Sequence, residues 1–166
     1  MDLADELVGK NAGQGRPKVV RLRRGISTAY YAVFHELLTR VVYEVVRPAD
    51  WTAQAAAVSR WVTHQDLAAL SKAATGSGNQ ALRDALAPVS PGTERIAQAF
   101  LDLQDVRHRA DYDDLFDVDK IAAVGWAEAA RDAVDRSWDL VRSRDLSYRR
   151  FLALGLGAVK IAKARS

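Results

Sequence analysis

The run of residues from Pro17 to about Val46 restricts the possible fold more than any other part of the sequence. Only Gly25 interrupts it as a helix, at a cost of about 1 kcal/mol relative to alanine, and Pro17 suits a first helical turn. Apolar side chains recur along this run at helical spacing, at Tyr30, Phe34, Leu37, Leu38, Val41 and Val45. Because such a stripe has to be buried, we expect this long helix to pack against other helices.

Helical periodicity also dominates the rest of the chain, and the period-two alternation of a half-buried strand is nowhere found. Further helices are expected at residues 2–9, from Thr52 through Val62, at 65–74, around Leu82 and Leu86, from Pro91 to Tyr112, from Asp117 or Asp119 to Arg142, and at 146–162. Long helices with short links indicate an all-α fold, an up-and-down antiparallel helical bundle of four to five main helices.

Two details of these helices can be predicted. Thr93 is expected to cap the helix that follows Pro91. In the helix that ends at Arg142, one face is expected to point inward, formed by Ile121, Val124, Ala127, Ala130, Val134, Trp138 and Val141.

Composition excludes several classes of protein. About half of the 166 residues are hydrophobic (49%), which allows a sizeable core, but no stretch reaches the roughly 18–20 apolar residues of a membrane span. The acidic, polar start Met1-Asp-Leu-Ala-Asp-Glu is unlike a secretory signal, so we expect a cytoplasmic protein. Without cysteine there are no disulfides or thiolate metal sites, and the three histidines lack zinc-ligand spacing. No metal and no cofactor are expected.

The net charge of +3 is unevenly distributed. Residues 142–166 contain seven Lys or Arg against one Asp, so this segment carries +6 and the remainder −3. Such a segment can contact phosphate or an acidic partner, or it can be a solvated helix face. We divide the chain into a short N-terminal segment (1–15), a helical domain (16–142) and a basic C-terminal helical extension (143–166).

The helix from Pro91 ends in a cluster of charge. Its apolar stripe (Ile96, Phe100, Leu103) runs directly into an arginine, and charges and ring donors then crowd into about two turns, at Arg107, His108, Arg109, Asp111, Tyr112, Asp113 and Asp114. A solvated helix end with ion pairs such as Asp105–Arg109 explains the cluster equally well as a ligand site does.

A second stripe on the long helix is polar and rich in rings. Arg24, Thr28, Tyr31 and His35 follow one another at i, i+4, i+7 and i+11. A buried, satisfied His35 is the commoner explanation of such a residue, and a binding site is the alternative. In the second case the Arg107 guanidinium and the His35 imidazole open into one shared groove.

The residue types favour phosphodiester chemistry over other reactions. Gly9, Gly13 and Gly15 lack the Lys-Ser/Thr of a P-loop, and Ser27 and Thr28 lie in a predicted helix without a nucleophile motif. Arginine grips phosphate through two parallel donors, while imidazole or phenol can move a proton at a ribose 2′-hydroxyl or a leaving oxygen. Together they suit metal-independent RNA cleavage.

Two motifs carry a family resemblance. Arg24-Gly-Ile-Ser-Thr-Ala-Tyr-Tyr-Ala-Val-Phe-His35 and Leu103-Gln-Asp-Val-Arg-His-Arg-Ala-Asp-Tyr-Asp113 resemble the HEPN superfamily, in particular the bacterial group with AYYAxFH and RxxADY signatures. The resemblance covers about residues 21–142 and implies a bundle of four or five helices, usually a homodimer with a cleft at its two-fold axis. Many members are RNases of toxin–antitoxin or antiviral systems, and others bind RNA or nucleotides without cutting them.

The family's catalytic pattern is an arginine, then a polar residue, and later a histidine, with four to six positions in all between the arginine and the histidine. Arg107 and His108 match the first two places, whereas the histidine place falls at Tyr112, Asp113 or Asp114. The resemblance therefore implies Arg107, His108 and Tyr112 as the catalytic set of a possible endoribonuclease.

These observations together predict a HEPN-like domain that binds RNA or a nucleotide. Its cleft would add, for binding, Arg24, Tyr31, His35, Arg109 and Asp111. In this hypothesis Arg107 contacts phosphate, Asp111 orients an arginine, and Tyr112 stacks on a base or donates to phosphate. The expected partners are RNA or a nucleotide, a second copy of the chain and a cognate antitoxin. The alternative is a non-catalytic protein–protein interaction module, an antitoxin or accessory subunit.

Overall fold

The computed structural model describes residues 2–7, 19–46, 53–158 and 160, and the regular structure in these residues is helical without a strand. The all-α class is confirmed. The predicted number of four to five main helices is not, because helix lengths are graded from 6 to 27 residues. In chain order the helices are α1 (Asp2–Leu7), α2 (Val19–Val45), α3 (Ala53–Ser59), α4 (His64–Ala74), α5 (Gln80–Leu86), α6 (Pro91–Tyr112), α7 (Lys120–Arg142) and α8 (Leu146–Leu154).

Helix α2 lies at the centre of the molecule, in contact with α1, α3, α6, α7 and α8. Its predicted apolar stripe is largely buried, with Leu37 and Val41 completely enclosed in the main core. Val45 is mostly exposed, so the prediction that it belongs to the buried stripe is wrong. Gly9, Gly13, Gly15 and Pro17, which precede α2 in the sequence, and Thr52, the first residue of the next predicted helix, lie outside the described residues.

Helix α7 turns inward only part of the predicted face, since Ala127 and Ala130 are buried as expected but Ile121, Trp138 and Val141 are not. Ile121 is 84% exposed and Trp138 is 49% exposed, whereas the buried stripe consists of small side chains, at Ala123, Ala127, Ala130, Ala133 and Ser137. These positions also recur at helical spacing, and their small size lets α7 approach α2 closely. Trp138 instead covers a cation on α2, since the Arg40 guanidinium lies 3.9 Å from its ring centroid.

The caps follow from local hydrogen bonds. Of the two predicted starts of α7, Asp117 and Asp119, Asp119 is the cap, and it accepts from the Ala122 amide at 2.8 Å. The cap of α6 is Ser90 rather than Thr93, because the Ser90 hydroxyl accepts from the Thr93 amide, which places Thr93 inside the first turn. Cap positions accept from the amide two or three residues further along the helix.

Helix α8 is part of the main core. Tyr148, Phe151 and Leu152 are buried there beside side chains of α2, α4 and α6. The predicted helix at 146–162 is interrupted: α8 ends at Leu154, a turn follows at 155–157, and residues 158 and 160 are again helical, while residues 159 and 161–166 lie outside the described part. Among the helices that the structure describes, none is long and apolar enough to cross a membrane.

Candidate functional site

Tyr30 belongs to the apolar stripe of α2, and its neighbour Tyr31 belongs to the polar stripe. Successive residues on a helix differ by about 100° in direction, and here one phenol points into the core while the other points outward. Tyr30 is buried, with its ring 5.5 Å from that of Phe100 on α6, whereas Tyr31 is 37% exposed. The result is an outward-facing ring supported directly by a buried one, since their centroids are 5.4 Å apart.

Tyr31 holds the arginine that the sequence marks as the key residue. The Arg107 Nη2 donates to the Tyr31 hydroxyl at 3.0 Å, and its Nε lies 2.7 Å from a carboxylate oxygen of Asp111. The other oxygen of Asp111 accepts from the Ser27 hydroxyl at 2.6 Å. The guanidinium carbon is 5.5 Å from the ring centroids of both Tyr31 and Tyr112. Arg107 is therefore held between two phenols by a carboxylate that α2 itself positions.

These contacts also keep Arg107 charged. Partial burial lowers the pKa of its guanidinium, but the Asp111 carboxylate and then the phenols of Tyr31 and Tyr112 act in the opposite direction, and the net shift is upward. Five N–H donors exceed the three side chains that hold the guanidinium, so donors remain for a ligand.

His64, the first residue of α4, completes the wall beside Tyr31. Its ring stacks on Phe34 with centroids 3.8 Å apart, and its Nδ1 shares a 2.6 Å hydrogen bond with the Tyr30 hydroxyl. Burial, then the charges of Arg107 and His35, lower the pKa of His64 below 6.5. Burial raises the pKa of Tyr30 to about 12, partly offset by Gln104 and Arg107. At neutral pH the phenol and the imidazole are therefore both uncharged.

A cleft of about 940 Å³ opens between α4, with the loop that follows it, and α6. This volume falls within the range of small-molecule sites. Its walls combine two cations, two imidazoles, two phenols and several amides and hydroxyls: Tyr30, Tyr31, His64, Lys72, Thr75, Ser77, Gln98, Leu101, Gln104, Asp105, Arg107 and His108. The lining is therefore polar and rich in aromatic rings, and Asp105 is its one carboxylate.

The structure brings together some of the residues predicted for the site. Arg107, His108 and Tyr31 line the cleft, and Asp111 and Tyr112 contact Arg107 from behind. The predicted members outside the lining are Arg24, His35, Arg109, Asp111 and Tyr112.

Arg109 and His35 occupy other surroundings. The Arg109 guanidinium lies 4.6 Å from the Phe116 ring centroid, so the ion pair expected between Asp105 and Arg109 is wrong; within the described chain this helix end has the pair Arg107–Asp111 instead. His35 is exposed, with its ring 6.3 Å from that of Tyr31. The imidazoles that line the cleft with Arg107 are thus those of His108, as predicted, and of His64, whereas His35 lies outside the lining.

Sequence reasoning missed His64, Tyr30, Lys72 and Gln104. For His64 the available signal was its position, directly after Thr63, which caps α4 by accepting from the Asp66 amide at 3.1 Å. A histidine in a first helical turn is disfavoured as a cation by the helix dipole, which singles out this position among the three histidines.

No protein-family model matches the chain, and no curated protein or solved structure matches it either. Nothing in these comparisons identifies a HEPN domain, so that resemblance stays a prediction. Among the described residues, no group of three or more histidines and carboxylates is arranged to hold a metal ion.

Proposed function

We propose that the cleft binds RNA or a nucleotide through a phosphate gripped by Arg107. The observation that carries this proposal is the anchoring of Arg107 by Tyr31, Asp111 and Tyr112 at the wall of an open cleft. A guanidinium whose position is fixed in advance loses little side-chain entropy when it binds, and it recognises phosphate through paired N–H donors.

The rest of the lining fits the other parts of a nucleotide. Lys72 supplies a second cation, and lysine binds phosphate as a point charge. The rings of Tyr31 and His64 are nearly perpendicular, at 78° with centroids 6.1 Å apart, and offer aromatic faces for a base. Gln98 and Gln104 provide donors and acceptors of the kind that read base edges.

RNA cleavage is an extension of this proposal, as the HEPN resemblance implies. His64 and His108 both line the cleft that contains Arg107. A neutral imidazole can accept a proton from a ribose 2′-hydroxyl, and a second proton donor can protonate the leaving oxygen. Arg107 would stabilise the charge that grows on the phosphate. In this proposal the protein acts in the cytoplasm as a homodimer, with a cognate antitoxin as partner.

The test of binding is a titration of fluorescein-labelled single-stranded RNA at about 50 mM and about 200 mM salt. We expect salt-sensitive binding, and Arg107→Ala should weaken it about 10- to 150-fold, since a hydrogen bond to a charged group contributes about 1.5–3 kcal/mol. Arg136→Ala is the matched control, because Arg136 forms an i,i+4 ion pair with Asp132 on α7, away from the cleft. Wild-type protein that does not bind even at low salt would refute the proposal.

Cleavage needs its own measurement. Unlabelled RNA is incubated with wild type and with Arg107→Ala, each with and without a chelator, and the products are resolved by size. If wild type and variant leave the RNA equally intact, the cleavage extension is wrong while the binding proposal stands on the titration.

The second candidate is a protein–protein interaction module, and an exposed apolar surface favours it. Leu115 is 92% exposed and Ile121 84% exposed around the connection between α6 and α7. Exposed apolar patches often mark partner surfaces. This candidate is favoured if wild type does not bind RNA at either salt concentration. It is favoured further if the Leu115→Ser/Ile121→Ser double variant loses a protein partner that wild type binds.

A further inference from the structure

Trp61 is displayed on the surface of the turn between α3 and α4. It is 64% exposed, although tryptophan side chains are on average highly buried. Its backbone is fixed, because its amide donates to the Val58 carbonyl at 2.9 Å and the next residue, Val62, is buried in the main core. The ring is therefore presented to solvent by a rigid turn.

Two cations accompany this ring. Trp61 lines a depression of about 520 Å³ together with Arg60 and Lys160, both of which are exposed. Neither cation forms an ion pair with a residue that the structure describes. The carboxylate in the lining, Asp66, is almost fully buried and accepts from the Thr63 hydroxyl at 2.6 Å, so it faces its helix cap.

The depression borders the main cleft through consecutive residues. Thr63 lines the depression and His64 lines the cleft, so the two hollows lie on either side of the start of α4. Lys160 belongs to the basic C-terminal segment of the sequence, and it is the residue of that segment that the structure places at the depression.

We infer that the Trp61 depression is a second subsite for single-stranded RNA, so that the natural ligand is an oligonucleotide rather than a mononucleotide. One base stacks on Trp61, Arg60 and Lys160 hold neighbouring phosphates, and the strand continues past His64 into the cleft. Exposed aromatic rings between cations bind unpaired bases without reading their sequence. A duplex does not fit this role because its bases are already stacked. The inference rests on the proposed function of the cleft.

The test compares two probes, 5′-AMP and a fluorescein-labelled single-stranded RNA 12-mer, on wild type and Trp61→Ala. Stacking on an aromatic side chain contributes enough that its removal should weaken binding of the 12-mer about 5- to 150-fold. The affinity for AMP, which occupies the cleft alone, should not change. Leu146→Ala is the control, because Leu146 is also exposed but lines a separate depression beside Arg149 and Ala153.

The titrations of the two probes distinguish failure of the Trp61 subsite from failure of the proposed cleft function. A 12-mer that binds Trp61→Ala as tightly as wild type overturns the subsite and leaves the proposed cleft function intact, as does an equal loss for both probes. Wild type that binds neither probe overturns both. Should Trp61→Ala unfold, Arg60→Gln/Lys160→Gln replaces it. That variant should lower the slope of log affinity against log salt by about 1.4, since each single-strand phosphate contact contributes about 0.7.

Discussion

Replacing Ser137 with alanine tests the buried hydrogen-bond chain that joins α8 to α2 and α7. The Tyr148 hydroxyl donates to the Ser137 hydroxyl at 2.8 Å, which donates to a Glu36 carboxylate oxygen at 2.8 Å. The same oxygen is 2.7 Å from Arg40 Nε. Ser137 and Tyr148 are fully enclosed, and burial raises the pKa of Tyr148, so its phenol remains a donor across the physiological range.

The two single substitutions in this hydrogen-bond chain should reduce the stability of the fold by different amounts. Ser137→Ala leaves the Tyr148 hydroxyl buried without an acceptor, and an unsatisfied buried group costs about 1–3 kcal/mol. Tyr148→Phe removes one neutral hydrogen bond, at about 0.5–1.5 kcal/mol, while Ser137 still donates to Glu36. At about 2–4 °C per kcal/mol for a chain of this size, we expect the melting temperature to fall by about 2–12 °C and about 1–6 °C respectively.

Thermal and denaturant unfolding of both variants and of the double variant measure the difference. The double variant leaves no orphaned phenol, so it should be no less stable than Ser137→Ala alone. Ser143→Ala is the control, because Ser143 is exposed at the end of the same helix and should change stability by less than about 0.5 kcal/mol. The reasoning is refuted if Tyr148→Phe costs as much as Ser137→Ala, or if the two losses add in the double variant.

Three further predictions concern the site and the glycines. Arg107→Ala should cost only about 1–2 kcal/mol in a thermal melt, because it removes one hydrogen bond and one partly exposed i,i+4 ion pair; a much larger loss would show a structural role. Since the pKa of His64 is lowered in the folded state, its contribution to stability is complete above pH 6.5 and is lost as pH falls through the folded pKa. The stability of wild type relative to His64→Gln should therefore fall on acidification from pH 7, and a pH-independent difference would contradict this. Gly155→Ala should destabilise by about 1–3 kcal/mol, because its Cβ would lie 2.6 Å from Cγ2 of the buried Val41, whereas Gly125→Ala, in open space on α7, should stabilise by up to about 1 kcal/mol. Melting curves that shift in the same direction for both glycine variants would refute the last argument.

Much of the fold could be predicted because its determinants are local. The long helix predicted to end at about Val46 corresponds to α2, which ends at Val45, and Asp119, one of the two predicted starts of the later long helix, caps α7. The inward face of α7 was predicted correctly only at Ala127 and Ala130. Its large apolar residues and its alanines both recur at helical spacing, and only the close approach of α2 decides that the alanines are buried.

The candidate site shows the same difference between features set by local sequence and features set by contacts between helices. Both motifs placed Tyr31 and Arg107 in one site, and the structure joins them by a hydrogen bond between residues 76 positions apart. His64 could not be found by periodicity, because its place depends on stacking against Phe34 and on the buried Tyr30 hydroxyl, 34 positions away. Periodicity reports which face of a helix is apolar, and not which side chain from another helix completes it.

In the function that we propose, the anchoring of Arg107 also bears on how the cleft would select a ligand. Asp111 forms an ion pair with the guanidinium, and the formal charges of Asp111 and Asp105 together balance those of Arg107 and Lys72. Net charge therefore contributes little to attraction at this site. Selection has to come from the fixed direction of the remaining Arg107 donors and from the rings beside them, which favours a ligand that presents phosphate and base together over a simple anion. Long-range attraction of a polyanion then falls to the cations outside the cleft, Arg60 and Lys160, which have no carboxylate partner in the described chain.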